Sequence, residues 1–254
     1  MQSCKVLLLA LQAVVLCAGC RFEAEGTGPG KRSQTLALRP SDELEIGRQA
    51  FREALKQQRV VRDGPQVDKV RRVSERIAKA IAIEPLQREI NLRVADYQFE
   101  WEYAVIKDDR INAFCLPGGK IVVFSGLIDF VRNDDQLATV IAHEVAHAVA
   151  HHASERIATE HSIRNPLTRL AYNRDQESEA DHIGAFLMTF AGYDPDEALA
   201  FWEQMESASK RGIHLPEFLS DHPNDAHRFA SLKQWVRNAK AGKTAFDAGR
   251  VVKP

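Results

Sequence analysis

His143-Glu144-Val145-Ala146-His147, set within residues 133–150, places two imidazoles and a carboxylate on one helical segment. On an α-helix residues four apart share a face, so His143 and His147 can turn both imidazoles toward one metal ion. Glu144 stands about 100° round the helix from His143, within reach of a water beside such an ion. A metal site can lower the pKa of water from 15.7 to roughly 7, and a neighbouring carboxylate can then take the proton. Five residues therefore predict a hydrolytic zinc centre. Asn133-Asp134-Asp135-Gln136 supplies the helix start, with Asn133 as N-cap and Gln136 at the third helical position. Leu137, Val140, Ile141, Val145 and Ala148 make one broad apolar surface, which predicts a largely buried helix. Unpaired imidazoles buried there would be costly, and a metal is their natural occupant.

Catalytic zinc usually has three protein ligands, so one is still to be found. Downstream, Glu177-Ser178-Glu179-Ala180-Asp181 opens an apolar-periodic helix through Ile183, Phe186, Leu187 and Phe190, ended by Gly192. Glu177 and Asp181 share a face; Glu179 lies about 200° away and points elsewhere. Glu177 can ligate the metal while Asp181 holds a ligand imidazole by its ring N–H. Upstream the pattern is different. Residues 41–57 and 67–81 read as amphipathic helices, broken at Gly64-Pro65 and stopped by Pro85. Strands follow over 91–95, 98–106, 111–116 and 120–124, with Pro117-Gly118-Gly119 as the last turn, and everything beyond Ser125 reads helical. Helices, a small sheet, then helices is an α+β layout.

The chain has 254 residues, 44% hydrophobic, with a formal net charge of -1. That suffices for one domain with a sizeable core, and the lack of a basic surplus argues against nucleic acid as a partner. Residues 1–19 read as a signal peptide: Lys5 is followed by an apolar run from Val6 to Leu16. Cys17-Ala18-Gly19-Cys20 resembles a bacterial lipobox, with Cys20 as the lipidated residue; an ordinary cleaved signal is the alternative. Residues 20–40, rich in glycine, read as a lipidated flexible tether, and residues 41–254 as the metallopeptidase domain. The expected location is periplasmic, anchored to the outer membrane. Cys115 alone would remain in the processed chain as a free thiol, so no internal disulfide is expected.

HExxH followed by ExEAD, with Asn112-Ala113 and Pro117-Gly118-Gly119 upstream, resembles the zinc-dependent prenyl-protein-processing endopeptidase family. Over residues 41–236 it is most similar to the soluble bacterial lipoprotein branch of that family. The resemblance implies a helical zincin-type fold with a small antiparallel-containing sheet beside the HExxH helix. It implies one Zn2+ per chain held by His143, His147 and Glu177, with Glu144 as general base and Asp181 behind a ligand. Asn112 and Ala113 would begin a strand whose free edge binds substrate. Ser220-Asp221-His222-Pro223 and Arg228 resemble the family's His-Pro segment, which brings His222 and Arg228 to the metal or the oxyanion. The implied activity is hydrolysis of misfolded or stalled envelope proteins. The implied partners are extended polypeptide, an outer-membrane lipid anchor and envelope assembly machinery. There are departures. The segment from Ala148 to Gln176 is shorter and more polar than is common in the family, and His151 stands where relatives often have arginine. His152, five residues after His147, falls off the metal face and receives no ligand role. A chaperone or assembly factor with a structural or latent zinc site remains the alternative, against which the intact Glu144 counts.

Overall fold

The structure, a computed structural model, describes residues 24–27, 32–92, 97–160, 166–211, 222 and 226–250. Its elements, in chain order, begin with β1 (Ala24–Thr27), β2 (Ser33–Leu36), α1 (Pro40–Lys56), β3 (Val60–Val61), α2 (Pro65–Ile81) and α3 (Glu84–Glu89). There follow β4 (Glu102–Ile106), β5 (Ala113–Leu116), β6 (Lys120–Phe124) and α4 (Ser125–Phe130). The remainder is α5 (Asp134–Val149), α6 (His152–Glu160), α7 (Pro166–Phe190), α8 (Asp196–Lys210) and α9 (Ala226–Asp247). The class is α+β, as the pattern predicts.

Helix α5 carries the HExxH motif and is the centre of the core. Asn133 caps it in an extended conformation, its side-chain oxygen accepting from the Gln136 N–H at 2.8 Å. The Gln136 side chain in turn accepts from the Arg132 N–H, and Asp134 and Asp135 favour the helix dipole from the first turn. Leu137, Val140, Ile141 and Val145 are fully buried, each contributing about 1.5–3 kcal/mol by removal from water. Helices α2, α7 and α8 and strand β5 surround α5. At its C-terminal end His151 adopts φ 57°, a left-handed turn that costs a non-glycine residue about 1–2 kcal/mol. Stacking on Tyr97 at 3.6 Å and a 2.9 Å contact with Glu43 hold it there, and the turn lets α6 start at His152.

The main sheet has the order β3-β4-β6-β5, with β4 and β6 parallel and the other pairs antiparallel. Strand β5 is therefore an edge, packed against α5. Gly118 and Gly119 both have positive φ in the β5–β6 turn, and a Cβ on Gly119 would come within 2.7 Å of the Trp101 ring. Strand 120–124 lies where the sequence places it, whereas 98–106 shortens to Glu102–Ile106. Of the strand read over 91–95, Asn91 and Leu92 are turn and coil, and the rest lies outside the described residues. Helix α2 ends at Ile81, as read, and Pro85 also begins the next helix. It sits in the first turn of α3, where a missing N–H costs nothing. The glycine-rich stretch read as a tether also differs: β1 and β2 pair antiparallel, and Gln34 and Leu36 are buried against α6. Alternating buried positions at Gln34, Leu36 and Leu38 give this arm an inward face that glycine content conceals. No helix of the described residues is long and apolar enough to cross a membrane.

Candidate metal centre

Helices α5 and α7 pack on each other more extensively than any other described pair, and their contact builds the centre. Gly184 makes the approach possible, since an added Cβ would come within 3.1 Å of the His143 nitrogen. His143 Nε2 lies 3.2 Å from His147 Nε2 and 3.3 Å from Glu177 Oε2; His147 Nε2 is 3.4 Å from Glu177 Oε1. Zinc bonds of about 2.0–2.1 Å in a tetrahedron put donors about 3.3 Å apart, so these atoms are spaced as three corners of a zinc site. His222 Nδ1 stands at a fourth corner, 3.1 Å from His143 Nε2 and 3.0 Å from Glu177 Oε2. The four residues form a group able to hold a metal ion. Glu144 borders the same corner, its Oε1 3.1 Å from His222 Nε2.

Electrostatics follows from burial. Burial holds the His147 pKa well below 6.5, which keeps its ring neutral and a lone pair available. Burial alone would raise Glu177, but the surrounding histidines outweigh it and hold the carboxylate well below its ordinary range. Burial likewise opposes charge on His222, yet Glu144 and Glu177 prevail and hold it at about 10. A divalent cation at the same donors would compete with that imidazolium.

Behind His143, Asp181 Oδ1 lies 3.0 Å from the ring Nδ1. Asp181 accepts two hydrogen bonds from Arg228, at 2.8 Å from Nε and 2.9 Å from Nη2. Arg228 also lies 3.2 Å from Glu177 Oε2 and rests over the Trp202 ring at 5.0 Å. The resemblance implies an arginine near the site, with His222 or Arg228 helping to hold the oxyanion. The structure puts Arg228 behind the ligands, because two buried carboxylates need a cation there more than solvent does. Behind His147 stands a second imidazole: His152 Nδ1 is 2.8 Å from His147 Nδ1, and His152 Nε2 is 3.1 Å from Glu179 Oε2. Glu179, pointing away from the metal donors as its helical angle requires, also accepts from Arg32 at 2.6 Å.

The sequence profile of peptidase family M48 matches residues 68–168 and 164–236, well over half of the chain. The chain belongs to peptidase family M48. M48 peptidases use zinc, in agreement with the two nitrogens and one carboxylate found here. The chain is 35% identical over 169 residues to the mitochondrial metalloendopeptidase OMA1 of Schizosaccharomyces pombe, covering 58% of this chain and 50% of that protein. It is 38% identical over 175 residues to OMA1 of Arabidopsis thaliana, covering 58% and 36%. To the beta-barrel assembly-enhancing protease of Escherichia coli O157:H7 it is 28% identical over 166 residues, covering 52% and 34%. The chain thus spans half or less of the length of these M48 relatives. The comparison overturns the periplasmic, outer-membrane location: the more similar of these relatives are mitochondrial proteins, and the bacterial match is weaker. Cys20, on which that location rested, lies outside the described residues, as do Ser220, Asp221 and Pro223.

Within this M48 chain, Asn112 and Ala113 are brought to the edge strand and are buried. Phe124 N–H donates to the Asn112 carbonyl at 3.1 Å, so by alternation the outward N–H and C=O groups of β5 belong to Ala113 and Cys115. The Ala113 N–H is taken by Asn112's own side-chain oxygen at 2.9 Å. Cys115 is half-buried, with its thiol pKa pushed up by burial, consistent with an inert sulfur. Sequence reasoning missed Trp202 and Arg32 and set His152 aside. A contact between the two rings at spacing five needs a sharp turn after the helix, and no glycine at 151 signals one.

Proposed function

We propose that this chain is a zinc metalloendopeptidase that cleaves extended segments of polypeptide, with misfolded or stalled proteins as its substrates. In this proposal residues 41–254 form the peptidase unit. The observation that carries the reading is three donors at zinc spacing with Glu144 bordering the fourth corner. A bound zinc ion would supply Lewis acidity to the attacked carbonyl and the attacking water. Glu144 takes the proton from the water and returns it to the leaving amine. Asp181 holds the ring of His143, and Arg228 neutralises Asp181 and Glu177. The edge of β5 aligns the substrate by backbone pairing, which keeps side-chain preference broad. For that pairing Asn112 must release the Ala113 N–H.

His222 is the gate in this proposal, because its Nδ1 stands at the corner that a reacting group needs. The same observation favours a second reading, a chaperone whose zinc is closed by four protein donors. Two variants separate the readings. Glu144→Gln should retain zinc and lose about 10²–10⁴-fold in cleavage of an unfolded protein. His222→Ala should raise cleavage. Equal zinc with no cleavage by parent or His222→Ala supports the chaperone, and lower activity in His222→Ala gives His222 a transition-state role instead of a gating one.

A further inference from the structure

His147 can offer Nε2 to a metal only if its proton sits on Nδ1, and the group facing Nδ1 decides this. That group is His152 Nδ1 at 2.8 Å, buried with it. Two ring nitrogens in contact share one proton. If His147 Nδ1–H donates, His152 Nδ1 accepts and the His152 proton must lie on Nε2. His152 Nε2 faces Glu179 Oε2 at 3.1 Å, a carboxylate oxygen that can only accept when ionised. The same oxygen accepts from Arg32 Nη2 at 2.6 Å, and Arg32 also pairs with Glu155. Each tautomer is thus dictated by the next group along, ending at a cation. Gln34 fixes the arm that carries Arg32, donating to the Ala150 carbonyl at 2.6 Å beside the end of α5. Arg32 and Gln34 lie before residue 68, where the family match begins.

We propose that His152, Glu179 and Arg32 are positioning residues that set the tautomer and orientation of His147, so that the N-terminal hairpin completes the metal centre. The inference rests on the metal reading given above. None of the three is among the four metal donors, and their effect passes through His147 alone.

The test is zinc affinity, measured against a chromophoric chelator at one pH, with long-range ¹H–¹⁵N spectra of the zinc-free, histidine-labelled protein to read the His147 tautomer. His152→Phe and Glu179→Leu should each raise the zinc dissociation constant about 10–100-fold. Glu179→Gln, which keeps an acceptor, should recover part of that loss. Arg32→Gln should give a smaller rise, and combined with Glu179→Leu it should add nothing further. Urea midpoints of the zinc-free variants identify those that fold. Should His152→Phe fail to fold, Glu179→Leu and Arg32→Gln decide. Unchanged zinc affinity in folded Glu179→Leu overturns the relay, as does a His147 proton on Nε2 in the parent. Zinc binding by the parent tests the metal reading separately, since the tautomer is read without metal.

Discussion

The two histidines of α5 lie one helical turn apart and face the same donors, but they are held from behind by different chemistry. Behind His143 stands a buried charge pair: Asp181, gripped at two points by Arg228, which rests over Trp202. Behind His147 stands a neutral ring, His152, and the charges come only at the next step, in Glu179 and Arg32. The difference shows in how each carboxylate ionises. Burial would raise Asp181, but Arg228 and His143 outweigh it and hold its pKa below the ordinary value. Burial does raise Glu179, to about 7, with Arg32 opposing and Glu155 adding to it. Asp181 therefore holds its charge firmly between Arg228 and His143, whereas Glu179 holds its charge less firmly, with Arg32 alone to favour it. A metal ligand can thus be oriented either by a charge compensated in the core or by a neutral relay that moves the charge outward.

The strongest way to break this comparison is to remove the cation on each side. Arg228→Met leaves Asp181 and Glu177 buried without it, and should cost about 3–5 kcal/mol in urea unfolding of the zinc-free protein. Adding Asp181→Asn should recover part of the loss; no recovery would mean that Arg228 acts by packing on Trp202. Acidification probes the same side more gently. His182, next to Asp181, stacks on Trp235 at 4.0 Å, and burial lowers its pKa from 6.5 to about 4. Between these values the unfolded chain binds the proton and the folded chain does not, so stability rises with pH across this window. His182's contribution is complete above 6.5 and lost as pH falls to 4, about 3 kcal/mol in all. His182→Phe should flatten that part of the pH profile, and an unchanged slope would place the acid sensitivity elsewhere. The smallest effect belongs to Arg32→Gln. Its side chain is 22% exposed and its carboxylate partner holds charge less firmly than Asp181 does, so about 1 kcal/mol is expected. A loss as large as that of Arg228→Met would erase the distinction between the two sides.

Legibility in the sequence followed the range of the interaction. The α5 cap, its apolar surface and the shared face of Glu177 and Asp181 were readable because each depends on residues within about one or two helical turns. Strand 120–124 was readable for the same reason, being a short β-branched and aromatic run beside a glycine turn. The parallel pairing of β4 with β6 was not, because parallel partners are joined by long connections whose geometry leaves no local mark. Nor was the hairpin at 24–36, where glycines suggest freedom and the buried face of Gln34 and Leu36 appears only when α6 is beside it.

Which side chains share a helix face follows from the order of residues alone, and with it the ability of His143, Glu144 and His147 to serve one metal that Glu177 could join. Helical periodicity is a local rule, so it needs no knowledge of the rest of the chain. What stands behind each histidine depends on how the elements pack. Arg32 and Glu179 meet across 147 residues, and Arg228 and Asp181 across 47. Such contacts are selected by the requirement that every buried charge find a partner once the elements have packed, and no periodicity along the chain encodes which partner that will be.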